Sequence, residues 1–305
     1  MDNFDVSVVV LTYNFDYAKL FCTLKSVISQ KGLKFEVIVS DDASDDFNEE
    51  KIKEWFHNNN FSDYKIATRC KNQGTVGNLN DALFLCCAKY VKLISPGDLL
   101  YDVNTLKKLL DFSENNQCGI CFGDCIYYSV DNNAVQIYPK LHYPKRLGIY
   151  KKNKSSRLIF NFLVLQDVIL APAYFISKDI LIKYISIIHG KIKYREDVIY
   201  FLMVADGIKF FYVNAPVVWY EYGSGISTSG NQQWYRILEE ELLTAGEILS
   251  NRTPQYSYFH DINTKRKSAK IYIYRLLKKI YHKLPKAAQK NFSKEKLETW
   301  LANSL

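Results

Sequence analysis

The sequence predicts an α/β fold built on a mostly parallel, Rossmann-like sheet flanked by helices. Residues 7–14 (SVVVLTYN) and 35–44 (FEVIVSDDAS) are valine- and isoleucine-rich runs without polar alternation, the pattern of strands buried on both faces. Each run breaks off into a polar cluster, and in an open α/β sheet the edge past the strand ends is where ligands bind. Strand-like and helix-like patterns then alternate through the first half, which implies parallel pairs joined by right-handed crossovers.

In chain order, a strand over 6–11 is followed by a helix over 17–30, with Leu20, Leu24, Val27 and Ile28 on one face. A strand over 35–40, a helix over 48–57 and a short strand over 64–69 follow. A helix over 76–88 precedes a strand over 90–94, which ends in Ser95-Pro96-Gly97-Asp98. A helix over 103–115 and a strand over 119–128 complete the alternation. From 138 to 150 the pattern lapses into a basic, loop-like stretch with Pro139, Pro144 and Gly148. A second block has a helix at 156–165, a strand at 174–177 and a helix at 179–187. Tyr194-Arg195-Glu196-Asp197 then opens a helix to Ala205, followed by strands at 210–213 and 217–220. The small polar segment 223–230 reads as a flexible loop before a helix at 232–249. This pattern divides the chain into an α/β domain, 1–228, and a helical, basic C-terminal extension, 229–305.

With 305 residues and 48% hydrophobic content, the chain can bury a sizeable core. Its 23 Tyr and 18 Phe, against 13 Gly and 7 Pro, argue against long disordered stretches. Met1–Asp5 is polar, and Val6–Leu11 is too short for the apolar core of a secretory signal. The longest apolar stretch, 198–220, is broken by Asp206, Lys209 and Asn214, short of the ~18 uninterrupted residues of a membrane span. The chain is therefore expected to be cytoplasmic, and to lie at the inner face of the cell membrane if its basic tail binds there. Its seven cysteines are an odd number and read as reduced thiols. Cys118 and Cys121 form a CxxC followed by Cys125, but no second pair supplies a zinc site, and the segment reads as a buried strand.

After strand one, a dinucleotide site would need G-x-G-x-x-G, and the turn here is Thr12-Tyr13-Asn14-Phe15-Asp16. No GK[ST] is present either, which excludes a P-loop. An aromatic and an amide at one strand end, and a carboxylate pair at the next, instead suit a base and a ribose. Tyr13 would stack on the base, and Asp42 would accept from its imino group or from ribose hydroxyls.

These residues resemble the glycosyltransferase family 2 proteins of the GT-A, nucleotide-diphospho-sugar transferase fold. The resemblance runs through T-Y-N, D-D-x-S, N-Q-G-T-V-G-N-L-N (residues 72–80), the acidic end of strand four and the later E-D, over roughly 6–227. It implies an inverting transferase that moves a sugar from a nucleotide-sugar, a UDP-sugar by preference, to a saccharide or lipid-linked saccharide in surface polysaccharide or lipopolysaccharide synthesis. It places Thr12, Tyr13, Asn14, Asp41, Asp42, Asn72, Gly74, Asn80, Ser95 and Asp98 on the donor side. Asp197 matches the general base. Glu196, Ala171 and Pro172 fall on the acceptor side, and Trp234 with the 223–230 loop falls where a lid closes over the diphosphate.

One segment departs from the pattern. Both aspartates of the usual D-x-D are replaced, by Ser95 and Gly97, and Asp98 alone remains. Mg²⁺ or Mn²⁺ keeps several waters and can use one protein carboxylate, so Asp98 is the expected metal ligand. Pro, Gly and Asp are also ordinary turn residues, and a plain turn is the alternative. Likewise Glu196-Asp197 could simply cap a helix through the macrodipole.

Between Lys265 and Lys296 there are twelve Lys or Arg and one acid. Ile273, Leu276, Leu277, Ile280, Tyr281 and Leu284 form one helical stripe there. Such a helix either lies on an anionic membrane or packs on the domain with a solvated basic face. No nucleic-acid-binding motif accompanies the charge. Two other activities compete with transfer: a degenerate nucleotide-sugar binder, consistent with the lost aspartates, and a sugar nucleotidyltransferase, which would need a Gly-rich basic loop after strand one.

Overall fold

The computed structural model describes residues 4–131, 134–151, 155–223, 232–252, 259, 269–284, 289 and 291–302. β1 (Val6–Thr12) and β2 (Phe35–Asp41) run parallel, in register from Val6 opposite Phe35 to Thr12 opposite Asp41. Their valines and isoleucines are fully buried because α1 (Tyr17–Ile28) and α2 (Glu49–Asn58), with the helices after them, cover the sheet. Asp16 caps α1 by accepting from the Ala18 N–H, and Asn48 caps α2 by accepting from the Lys51 N–H. β3 (Tyr64–Thr68) joins β2, and after α3 (Gly74–Leu85) β4 (Tyr90–Ile94) joins β1, both in parallel.

Beyond β4 the sheet turns mixed. β5 (Leu99–Leu100) leads through α4 (Thr105–Asn115) to β6 (Ile120–Asp131), which forms a hairpin with β7 (Ala134–Ile137). α5 (Leu147–Lys151) and α6 (Ser155–Ile159) follow, and a π-helical turn over Phe160–Leu165 ends at Gln166 with φ 53°. A 3₁₀ turn, Ala171–Ala173, then enters β8 (Tyr174–Ser177). β8 inserts antiparallel between β4 and β6, giving the order β3-β2-β1-β4-β8-β6-β9-β5. The strands expected at 210–213 and 217–220 are one strand, β9 (Phe211–Glu221). Its register against β6 shifts at Asp124, opposite Pro216, where a missing N–H interrupts the ladder. β8 leads directly into α7 (Lys178–Ile188), and α8 (Val198–Ala205) precedes β9.

The extension folds back onto this sheet. α9 (Gln232–Arg252) buries Ala245 and Leu249. α10 (Ala269–Lys283) packs on the π-helical turn, and α11 (Lys294–Leu301) seats Leu297, Trp300 and Leu301 against Tyr101 and Trp219. Among the described helices, none is long and apolar enough to cross a membrane. Cys118, Cys121 and Cys125 are buried at β6 as small hydrophobes.

Candidate active site

The ends of β1, β2 and β4 open on a cavity of about 660 Å³. Every residue nominated from sequence except Asp41 and Asn80 lines it: Thr12, Tyr13, Asn14, Asp42, Asn72, Gly74, Ser95, Asp98, Ala171, Pro172, Glu196 and Asp197. Lys19, Asn78, Glu221, Trp234 and Leu238 are also in the wall. Residues 224–231, most of the expected lid, lie outside the described residues.

The paired aspartates after β2 are differently employed. Asp41 is fully buried and turned away from the cavity. It accepts from Thr12 Oγ1 (2.8 Å), Ser44 N (2.7 Å) and Ser44 Oγ (2.6 Å), which ties the ends of β1 and β2 together. Asn14 extends that tie: with φ 42°, a left-handed conformation Asn tolerates, it receives the Asp45 N–H and donates its own N–H to Ser44 Oγ. Asp42 faces the cavity, and each oxygen accepts one backbone N–H at the start of α3, from Gln73 (2.9 Å) and Gly74 (2.7 Å). Burial nonetheless raises its carboxyl above the ordinary value. Asn80 sits on α3 with its amide turned to Asp81. Asn78 takes the inward position, donating to Ser40 O and accepting from Ser40 Oγ. Tyr13 is half exposed, its ring open at the cavity edge.

At the β4 end a carboxylate absent from the sequence motif appears. Gly97 has φ 96°, and a Cβ there would lie 2.3 Å from Glu221 Oε2. The Glu221 carboxylate, from the end of β9, therefore fills the space a side chain at position 97 would take, beside Asp98. Asp98 Oδ1 accepts the Glu221 N–H (3.2 Å), and Lys19 Nζ pairs with the Glu221 carboxylate at 2.8 Å. Burial, joined by the Glu221 charge, pushes the Asp98 carboxyl up to about 8. Thr23 holds the turn by accepting the Gly97 N–H and donating to Asp98 O.

On the other wall, Asp197 stands at the start of α8, yet its side chain makes no capping bond to that helix. It pairs instead with Arg195 Nη2 at 3.2 Å and remains about one-third exposed at the cavity. Burial, then the Asp197 charge, push Glu196 above the usual carboxylate range. The loop carrying both acids is held from α9. The Glu241 carboxylate accepts the N–H groups of Lys193, Tyr194 and Arg195, and Leu238 O accepts from Arg195 Nη1. Tyr194 packs edge-on against Trp234. Ala171 and Pro172 are fixed from beneath by Lys92, fully buried in β4, which donates to Pro172 O and Tyr174 O. Lack of solvent pulls the Lys92 ammonium down to about 8.

Sequence reading missed Glu221, Lys19, Glu241 and Lys92. Glu221 had a signal: a lone acid closing an apolar strand, the rule that singled out Asp41-Asp42. Glu241 had none, being one of three consecutive glutamates on a helix.

Comparison with known proteins agrees with this geometry. The sequence model of Glycosyl transferase family 2 matches residues 7–170, just over half of the chain. UDP-Glc:alpha-D-GlcNAc-diphosphoundecaprenol beta-1,3-glucosyltransferase WfgD of Escherichia coli is 25% identical over 177 residues, 57% of this chain and 65% of that protein. The chain thus spans under two thirds of that relative's length. Among solved structures, S. aureus TarS in complex with UDP-GlcNAc superposes with a TM-score of 0.56 at 18% identity, covering 85% of this chain and 72% of that one. The mannosyltransferase PcManGT from Pyrobaculum calidifontis, in complex with GDP-Man and Mn2+, gives 0.57 at 13% identity, covering 99% and 86%. At these identities the two structures establish the shared GT-A fold.

Proposed function

The chain belongs to glycosyl transferase family 2, and on that premise we propose that it moves a sugar from a UDP-sugar to a lipid-linked saccharide in surface polysaccharide assembly, with inversion. The observation that carries the reading is the convergence of Tyr13, Asp42, Asp98 and Asp197, from four separate segments, on one cavity. The WfgD relative, whose name specifies UDP-Glc and a diphosphoundecaprenol acceptor, supports the donor and acceptor classes.

Tyr13 stacks on the base, and Asp42, each oxygen keeping a lone pair, accepts from the base or ribose. Asp197 takes the proton of the acceptor hydroxyl as that oxygen attacks the anomeric carbon. The bond from that carbon to the diphosphate oxygen breaks on the opposite face, and the nucleoside diphosphate leaves with the electron pair. Arg195 and Glu241 hold the Asp197 loop in place during this step. Asp98 and Glu221 are adjacent hard oxygen donors and fit Mn²⁺ or Mg²⁺. When bound there, such a cation supplies charge neutralisation for the departing diphosphate.

A second reading is favoured by the Lys19–Glu221 ion pair: Lys19 alone meets the diphosphate, and transfer proceeds without a metal. Both readings are tested by following UDP release from a panel of UDP-sugars, with Mn²⁺ or with EDTA. Asp197→Asn is expected to lower the rate by about 10²–10⁴ while leaving UDP affinity unchanged. Unchanged turnover in that variant would exclude Asp197 as the base. UDP binding by the wild type without release from any donor would make the chain a nucleotide-sugar binder. Full activity in EDTA would assign the diphosphate to Lys19.

A further inference from the structure

The apolar stripe of the basic tail, apart from Tyr281, faces outward. α10 is held to the domain by its opposite side, where Ile271 and Tyr281 are buried. Tyr281 OH donates to Asp167 (2.5 Å), His282 Nε2 meets Leu165 O (2.7 Å), and Lys278 reaches Gln166. Lys145 closes the end of the helix by donating to the carbonyls of Tyr281, His282 and Leu284. With that side engaged, Tyr272 (69% exposed), Ile273 (52%), Leu276 (44%), Leu277 (40%), Ile280 (49%) and Leu284 (48%) lie in solvent.

We infer that this face of α10 docks the protein on an anionic lipid bilayer. Charge selects that occupant. At ~100° per residue, Lys279 and Lys283 fall along one margin of the stripe and Lys270 along the other. All three are exposed, and Ala269–Lys283 contains no acid. An apolar face edged by lysines, on a helix too polar to span, is the pattern of an interfacial helix. Each lysine near an anionic surface strengthens partition roughly fivefold.

The attachment also orients the cavity. Asp167, which receives Tyr281, Asn161 and the Lys145 and Arg146 N–H groups, is followed directly by Val168–Pro172, part of the cavity wall. Docking through α10 would thus bring that wall close to the bilayer. This consequence rests on the lipid-linked acceptor proposed above; the docking does not.

The experiment is vesicle flotation of the full chain with phosphatidylglycerol-containing or pure phosphatidylcholine vesicles, beside calorimetric titration with UDP. Binding is expected to be at least tenfold tighter to the anionic vesicles and to weaken with salt. Leu276→Ser with Ile280→Ser should abolish it, and Lys279→Gln with Lys283→Gln should lower it about 25-fold, UDP affinity staying constant in both. Equal binding by wild type and the serine variant, or none by wild type, overturns the proposal. So does a concentration-dependent dimer in sedimentation that the serine substitutions dissolve, since a second copy would then cover the stripe. Vesicle binding without sugar transfer would leave the docking intact and remove the transferase reading.

Discussion

At Gly97 a sequence defect and a structural gain are one event. Replacing the D-x-D aspartates looks, in sequence, like the loss of two carboxylates, and the sequence does not show that Glu221, from a distant strand, stands beside the remaining Asp98. A side chain at position 97 would have to displace the Glu221 carboxylate, and φ 96° disfavours any L-residue there. Gly97→Ala is therefore expected to lower stability by about 1–3 kcal/mol in urea unfolding. Glu221→Ala should relieve the steric part but not the backbone strain. The double variant would then be more stable than the two single effects sum to, by about 1 kcal/mol. Strict additivity would show that Glu221 is not what excludes a side chain at 97. The same logic separates Asp41 from Asp42: adjacent acids at one strand end are indistinguishable in sequence, and only the inward turn of Asp41 toward Thr12 and Ser44 assigns them different work.

Among the elements, legibility follows burial. β1, β2 and β4 are buried on both faces, largely apolar and bounded by polar breaks, so composition alone locates them to within a residue or two. β5, two residues long, and β7, on an edge with alternate exposure, carry too little periodicity to be seen. The antiparallel entry of β8 is invisible for another reason, since strand direction is decided by pairing and not by pattern. α11 shows how such an element is secured. Burial pushes the Asp102 carboxyl up, but bonds from Lys296 of α11, the Asn104 N–H and Lys108 outweigh it, and the group sits below its ordinary 3.8. A carboxyl depressed in the folded state contributes stability above its unfolded pKa, and that contribution is lost as pH falls through the folded value. Asp102→Asn should therefore cost about 1 kcal/mol at pH 7, the half-exposed lysines limiting the effect, and progressively less as the pH drops below ~4. Urea titrations at pH 7 and pH 3 measure this, and an equal loss at both would refute it.

For the whole molecule, the division of the chain at 228 and 229 follows a shift in composition. The shift to a basic, helical tail is real in sequence, but the tail supplies parts the α/β domain lacks. Glu241 of α9 accepts three backbone N–H groups of the loop that carries Glu196 and Asp197, and Trp234 and Leu238 close the cavity beside it. Leu297 and Trp300 of α11 cover Tyr101 and Trp219, the large aromatics at the β5–β9 edge. These contacts are long-range, so no local pattern announces them, whereas Tyr13, Asp42, Ser95 and Asp98 sit at strand ends that the pattern does mark. Cutting the chain after residue 228 is accordingly expected to yield an aggregating product, because an apolar sheet edge would face water. A gentler cut tests the catalytic half of the argument. Glu241→Ala leaves the α11 contacts intact and strips three N–H groups of their acceptor; the groups are only partly buried, so water replaces the bonds at little cost to stability. If Glu241 positions the loop, sugar transfer should fall by 10-fold or more, with UDP affinity and melting temperature nearly unchanged. Glu241→Gln, which keeps one acceptor oxygen, should recover part of the rate. Loss of UDP binding together with melting temperature would instead mean that α9 merely holds the fold.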